Sequence, residues 1–175
     1  MDLQFFERMS EQEAAEYLRR FLATESAAAA ALVAAAEAEG VAAGYGVDDL
    51  VPVLRWAVRR DRAALRDVDA GLPRELLEDE RERAAPLELP AGAESLVLRV
   101  AYYLGETFVR QRPQKLRWAG GDRETITENQ PVVTGFTRRM ELPVILVVEN
   151  LFRRAADQES VPHLVSAWTE RVPRR

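Results

Sequence analysis

The sequence predicts a single α+β domain in which four or five helices pack on a small antiparallel sheet. Apolar residues recur at steps of three and four along several long segments, which is the period of a helix with one buried face. Two short segments, 115–119 and 131–136, have the alternation and the β-branched residues typical of strands. At 175 residues the chain is long enough for one hydrophobic core and short for two, so we expect one domain, 1–175.

The first long helix is expected over residues 11–39. Ser10 and Glu13 have the spacing of a capping box, in which each side chain accepts a hydrogen bond from the backbone amide of the other residue. Gly40 is a natural end, while the polar residues 24–26 leave open a division into two helices. Apolar residues at helical spacing form the predicted buried stripe: Ala14, Leu18, Phe21, Leu22, Ala29, Leu32, Val33 and Ala36.

Two further helices are expected, one over residues 49–66 and one from residue 94 or 95 to about residue 110. Asp48 is the predicted N-cap of the first, because its side chain can accept from free amides of the first turn. Pro113 ends the second, since a proline ring disfavours helix in the residue before it. The connector between them, 67–93, is charged and contains three prolines, so we expect a mobile surface segment with at most one exposed helix.

The two strands, 115–119 and 131–136, are separated by a long polar loop over residues 120–130. Pro131 suits the start of a strand, because proline donates no hydrogen bond to a neighbouring strand. The loop is rich in polar groups and includes a glycine pair that signals a turn.

Residues 142–155 are compatible with a strand or with a helix. The run VILVV is β-branched, as in a buried strand. Pro143 near the start and apolar residues at helical spacing favour a helix, which is the prediction we adopt. A final helix is expected over residues 160–171, with Ser160 as its N-cap.

Composition excludes several classes of function. The chain has no cysteine, which rules out disulfides, thiolate metal sites and cysteine nucleophiles. The acidic N-terminus lacks the basic and apolar regions of a signal peptide. The longest apolar stretch, 27–36, is far shorter than the ~20 residues that a membrane span requires. We therefore expect a soluble cytoplasmic protein with no membrane partner.

Charge is distributed unevenly along the chain. Residues 1–90 carry 19 acidic and 11 basic residues, whereas residues 91–175 carry 10 acidic and 13 basic ones. Clustered arginines bind phosphate or carboxylate, so an anionic ligand is one hypothesis, and pairing with the acidic half of the chain is the simpler one. The small basic excess and the lack of a recognisable module argue against a nucleic-acid partner. The basic residues concerned are Arg110, Arg112, Lys115, Arg117, Arg123, Arg138, Arg139, Arg153 and Arg154.

Two segments resemble an uncharacterised family of small actinobacterial proteins. They are DDLVPVLRWAVRR, at 48–60, and the stretch from YYLGETF to VVENLFRR, at 102–154. That family has a Leu-x-Pro-Leu/Val-x-x-Trp helix, a Tyr-x-Gly/Ala-Glu helix, a short strand ending in Trp and a Gln-Pro-Val strand. The Tyr-x-Gly-Glu helix is also distantly similar to immunity-type proteins. The resemblance implies a shape; the family has no assigned activity, so it implies no catalytic residues.

Glu106 is the carboxylate with the strongest case for chemistry. The loop acids Asp122, Glu124 and Glu128 are close enough along the chain to fold over its helix. Paired carboxylates perform acid–base catalysis or hold a divalent metal, so a metal-assisted or acid–base enzyme is the alternative hypothesis. No second ligand lies at fixed spacing, however, and Arg110, four residues on, is placed to pair with Glu106.

No motif assigns a catalytic residue, a metal ligand or a cofactor. The single histidine, His163, is isolated, and the chain has no Gly-x-Ser-x-Gly sequence around a serine nucleophile. The glycine pair of the loop lacks the Lys-Ser/Thr ending of a phosphate-binding loop. Asn129, Gln130 and Asn150 are expected to be buried amides that hold loops by hydrogen bonds to the backbone.

The leading hypothesis is a non-catalytic protein-binding or regulatory domain, of the immunity type or similar. Its partner surface would be the loop and strands of residues 117–139, together with one face of the third helix. An exposed patch of aromatic and arginine side chains would mark the binding hot spot. Self-association through the alanine-rich first helix also stays open. The candidate binding residues are Tyr103, Glu106, Arg117, Trp118, Asp122, Arg123, Glu128 and Asn129.

Overall fold

Five long helices, one single-turn helix and a three-stranded antiparallel sheet make up the described part of the chain. This is the α+β architecture that the sequence predicts. The computed structural model describes residues 4–69, 93–122, 125–154 and 160–173. Most of the connector expected at 67–93 lies outside these residues, as do Arg123 and Glu124, so the expectations for them stay predictions.

The elements follow one another in a simple order, with the three strands between the fourth and fifth helices. The helices are α1 (Gln4–Glu7), α2 (Glu11–Ala38), α3 (Val47–Asp69), α4 (Ala93–Gln111), α5 (Val144–Arg154) and α6 (Ser160–Thr169). The strands are β1 (Arg117–Gly120), β2 (Pro131–Thr134) and β3 (Leu142–Pro143), with a short turn, Thr137–Arg139, before β3.

Helix α2 is continuous, so the division left open at residues 24–26 does not occur. The predicted capping box forms: the Ser10 amide donates to Glu13 Oε2 at 2.8 Å, and the Glu13 amide donates to Ser10 Oγ at 3.3 Å. By length and composition alone, α2 is also long and apolar enough to cross a membrane. In this structure its buried face, which includes Phe21 and Leu32, belongs to the hydrophobic core, and the helix packs on α4 and β1.

Helix α3 begins at Val47, so Asp48 lies inside its first turn and the prediction that it caps the helix is wrong. The neighbouring carboxylate, Asp49 Oδ2, accepts from the Gly46 amide at 3.0 Å. That contact closes the preceding turn, and the helix starts two residues earlier than predicted. The predicted third helix is confirmed as α4, with one or two more residues at its start and one more at its end.

The sheet has β2 at its centre, with β1 and β3 antiparallel on either side. Val133 of β2 is paired with Trp118 on one side and with Leu142 on the other. Strand β2 is shorter than predicted because Gly135 has φ +99°, and a Cβ there would lie 2.0 Å from the Lys115 carbonyl oxygen. The two-residue strand β3 was not expected, since so short a segment with a proline has no periodic signature.

Residues 144–154 form helix α5, so the helical prediction for residues 142–155 is confirmed for these residues. Val144, Ile145 and Val148 are fully buried. Adjacent residues such as Val144 and Ile145 would point to opposite faces of a strand, whereas a helix gathers them on one side. Asn150 of this helix is exposed, so the expectation that it is a buried amide is wrong.

The core is centred on α4, which packs against α2, α3, α5 and the strands β1 and β2. Val100, Leu104 and Phe108 lie on its buried faces and are almost completely shielded from solvent. Phe108 meets Phe136, just after β2, edge to face at 5.6 Å between ring centroids. Because α4 is covered on several sides, the residues that follow it are held in place relative to the rest of the domain.

Candidate functional site

Strand β1 crosses α4 at Gly105, where the side chain of Trp118 lies directly on the helix backbone. A Cβ at Gly105 would be 2.2 Å from Cη2 of Trp118 and 3.0 Å from Cγ1 of Val144. Any side chain at residue 105 would therefore push the indole ring away. Gly105 is therefore a position where a helix and a strand pack closely.

Glu106 is held by two donors through its two carboxylate oxygens. Arg110 Nε donates to Oε1 at 2.8 Å, and Trp118 Nε1 donates to Oε2 at 3.3 Å. The side chain of Glu106 is only 16% exposed, while that of Arg110 is half exposed. The pairing of residues 106 and 110, four apart on one helix, is the simpler of the roles that the sequence predicts for this glutamate.

Aromatic rings surround this pair. Trp118 stacks on Tyr102 with ring centroids 5.7 Å apart and planes 10° apart, and Phe21 of α2 meets Trp118 edge to face at 5.7 Å. The guanidinium carbon of Arg110 lies 3.7 Å from the centre of the Tyr45 ring, an attractive cation–π contact. Burial, together with the charge of Glu106, raises the pKa of Tyr102. The cluster joins α2, α4 and β1.

Tyr103 is completely buried, so its side chain is not part of any surface. Its hydroxyl donates to the Gly44 carbonyl oxygen, and its ring packs against that of Tyr45 at 5.2 Å between centroids. Burial raises the pKa of the Tyr103 phenol, and nearby Asp49 raises it further. The residue fastens the turn before α3 to α4, which is a structural role.

The segment between β1 and β2, residues 121–130, is the second part of the predicted surface, and we call it the 121–130 loop. Asn129 is buried, has φ +60°, and donates through Nδ2 to the carbonyl oxygens of Phe6 and Met9, at 3.0 Å each. Gln130 Nε2 donates to the Ile126 carbonyl at 2.9 Å. These contacts confirm that Asn129 and Gln130 are buried amides that hold a loop, and they place Asn129 inside the fold.

Glu141 organises the same loop from a distance along the chain. Its Oε2 accepts from the Asp122 amide at 3.2 Å and from the Thr127 hydroxyl at 2.9 Å. The Thr125 hydroxyl donates in turn to the Asp122 carbonyl at 2.9 Å. The sequence does not indicate this role for Glu141, because 14 and 19 residues separate it from its partners.

Ile126 is at the exposed part of the 121–130 loop. Among the residues that the structure describes, it is the one large apolar side chain left exposed, with 81% of its surface in solvent. The sequence does not point to it, because an isoleucine between two threonines reads equally well as a strand residue. It is the functional candidate that sequence reasoning missed.

The remaining predicted binding residues lie on β1 or in the 121–130 loop. Arg117 is exposed on β1, Asp122 is exposed, and Glu128 is half-buried within the loop. The structure brings Glu106 and Trp118 together. The carboxylate that accepts hydrogen bonds from Asp122 and Thr127 of the loop is that of Glu141. Within the described ranges, no three His, Asp or Glu side chains come together in a way that would hold a metal ion.

The chain was compared with protein-family models, with curated proteins and with solved structures, and none of them matches it.

Proposed function

We propose that this chain is a non-catalytic protein-binding domain whose partner contacts the 121–130 loop at Ile126. The observation that carries the proposal is the 81% exposure of that isoleucine on a loop whose neighbouring side chains are engaged in hydrogen bonds. The wider hypothesis, a regulatory protein of the immunity type acting in the cytoplasm, belongs to the same proposal and rests on the sequence alone.

Hydrogen bonds to the rest of the fold hold described residues on both sides of Ile126 before any partner arrives. Asn129 ties one end of the loop to the backbone at Phe6 and Met9, and Glu141 ties the other through Asp122 and Thr127. A preformed loop loses less conformational entropy on binding than a mobile one does. The loop therefore meets a basic requirement of a contact surface.

The expected energy is large enough to measure. Complete burial of an isoleucine side chain stabilises an interface by about 1.5–3 kcal/mol. At about 1.4 kcal/mol per factor of ten, its removal weakens binding by roughly ten- to a hundredfold. Replacing Ile126 with serine removes the apolar contact and leaves the folded chain intact, because the side chain packs on little of the domain.

The experiment is site-specific crosslinking in the source cells. A benzoylphenylalanine at residue 126 is expected to crosslink a protein partner, whereas the same amino acid at exposed Gln114, outside the loop, is not. The captured partner is then titrated against the unmodified chain, the Ile126→Ser variant and, as a control, Lys115→Ser. Equal affinity of the partner for all three chains would refute the proposal.

A further inference from the structure

The turn between β2 and β3 holds two consecutive arginines in the left-handed backbone region. Arg138 has φ 60° and ψ 24°, and Arg139 has φ 56°. A residue with a Cβ adopts this region only with steric strain. Each such residue lowers the ratio of folded to unfolded protein by a factor of roughly 5 to 30. Glycine avoids that cost, and asparagine reduces it.

The other positive-φ positions in the described ranges are occupied as this rule predicts. They hold Gly40, Gly135 and Asn129, and Asn129 gains two buried hydrogen bonds through its side chain. The two arginines gain nothing comparable, since both side chains are exposed and neither forms an ion pair or hydrogen bond with another described residue. Their conformation is therefore not compensated by contacts within the described fold.

The surrounding fold imposes the conformation. The Thr137 amide donates to the Arg171 carbonyl at 2.9 Å, and the Met140 amide donates to the Thr137 carbonyl at 3.3 Å. Before the turn, Phe136 is buried against Trp168, with ring centroids 5.1 Å apart. Strained residues that a fold over-determines in this way are concentrated at binding and active sites.

A small polar hollow of about 260 Å³ opens beside the turn. Arg171 forms one wall of it, and its guanidinium donates to the Ala167 carbonyl oxygen and to the Met140 sulfur. One carboxylate, Glu170, is also part of the lining and accepts from the Ser166 hydroxyl at 3.2 Å. The residues that line the hollow are Thr137, Arg138, Met140, Glu170 and Arg171.

Two residues of β1 and the segment before it add positive charge near the turn. Lys115 and Arg117 are exposed, and the backbone contact of Lys115 with Gly135 and the pairing of Arg117 with Thr134 bring them to the start of this turn. No Asp or Glu occurs between residues 107 and 121 or between residues 129 and 140. The local excess of positive charge favours anions.

We propose that the turn at Arg138 and Arg139 is a binding site for the oxyanion group, phosphate or carboxylate, of a small ligand. Guanidinium groups bind both kinds of oxyanion through paired hydrogen bonds. Arg138 lines the hollow, which has room for one such group, and Arg139 is exposed next to it in the chain. This site is independent of the protein-binding role proposed for Ile126.

The test is a titration of the isotope-labelled full chain with inorganic phosphate and, separately, with citrate, followed by amide chemical shifts. Saturable shifts are expected at residues 137–140 and 171 with one or both probes. The affinity should weaken severalfold between 20 and 200 mM salt, since salt shortens the Debye length from ~21 to ~7 Å and so screens exposed charges. A response to phosphate alone assigns a phosphoryl ligand, and a response to citrate alone assigns a carboxylate ligand.

Two variants separate the site from general charge. Arg138→Gly with Arg139→Gly should weaken binding at least tenfold and make the fold more stable, because glycine relieves the strain. Arg19→Ala with Arg20→Ala removes the same two charges from exposed positions on α2 and should leave binding within twofold. The proposal is overturned if neither probe saturates, if the glycine variant binds as well or unfolds more easily, or if both double variants lose affinity equally.

Discussion

Replacement of Gly105 by alanine tests the contact on which the α4–β1 cluster depends. In an isolated helix this change is favourable, since alanine stabilises a helix interior by about 0.8–1.0 kcal/mol relative to glycine. Here the new Cβ would lie 2.2 Å from Trp118 Cη2 and 3.0 Å from Val144 Cγ1. Helix propensity and packing therefore predict opposite signs for the change in the free energy of unfolding.

Packing should outweigh propensity. Overpacking a filled site costs about 1–3 kcal/mol. Displacement of Trp118 also weakens its stacking on Tyr102, worth about 0.5–1.5 kcal/mol, and its hydrogen bond to Glu106, worth about 1.5–3 kcal/mol. Partial loss of these contacts, reduced by the gain in helix propensity, predicts a net destabilisation of about 1–4 kcal/mol.

Urea unfolding followed by far-UV circular dichroism measures this difference. Gly120→Ala is the matched control, because its new Cβ meets nothing within 4 Å, and the free energy of unfolding should change by less than about 1 kcal/mol. In a Trp118→Ala background the main obstacle is gone, and only Val144 Cγ1 at 3.0 Å has to shift slightly into the space that the indole leaves. There Gly105→Ala should become stabilising, by up to about 1 kcal/mol. The packing explanation is refuted if the substitution destabilises both backgrounds equally.

Two further substitutions test the loop and the buried acid. Asn129→Ala should lower the free energy of unfolding in urea by about 2–4 kcal/mol, because it removes two hydrogen bonds and leaves an alanine at a positive φ. The control Gln114→Ala should change this free energy by less than about 0.5 kcal/mol. Equal effects of the two substitutions would contradict the role of Asn129. Glu25 has only 8% of its surface exposed. Burial raises the pKa of its carboxyl group above the ordinary 4.5, although the positive charge of Arg99 acts to lower it. Its favourable contribution is therefore present below pH 4.5 and is lost as the pH rises through the folded-state pKa. Glu25→Gln should accordingly be more stable than the unmodified chain at pH 7, with a difference that narrows towards pH 4 in thermal unfolding; a difference that widens towards low pH would contradict the burial argument.

The parts of the candidate site that sequence reasoning anticipated have local causes. Glu106 and Arg110 pair because helical geometry puts residues four apart on one face, and this holds for any helix with that sequence. The buried amides of Asn129 and Gln130 were also expected, since polar residues just before a strand commonly satisfy loop backbone. The exposure of Ile126 and the role of Glu141 were missed. Each depends on which distant segment lies alongside.

The sequence by itself determined the five long helices, the order of the main elements and the α+β class, because caps, periodic apolar residues and prolines act through neighbours in the chain. Only the tertiary structure decided that Trp118 lies on Gly105, that β3 adds a third strand, and that Arg138 and Arg139 adopt left-handed backbone angles. These features arise from contacts between residues far apart in sequence. Such contacts outweigh the local backbone preferences of the residues involved. A short segment of sequence does not include both partners of such a contact, so it cannot predict them.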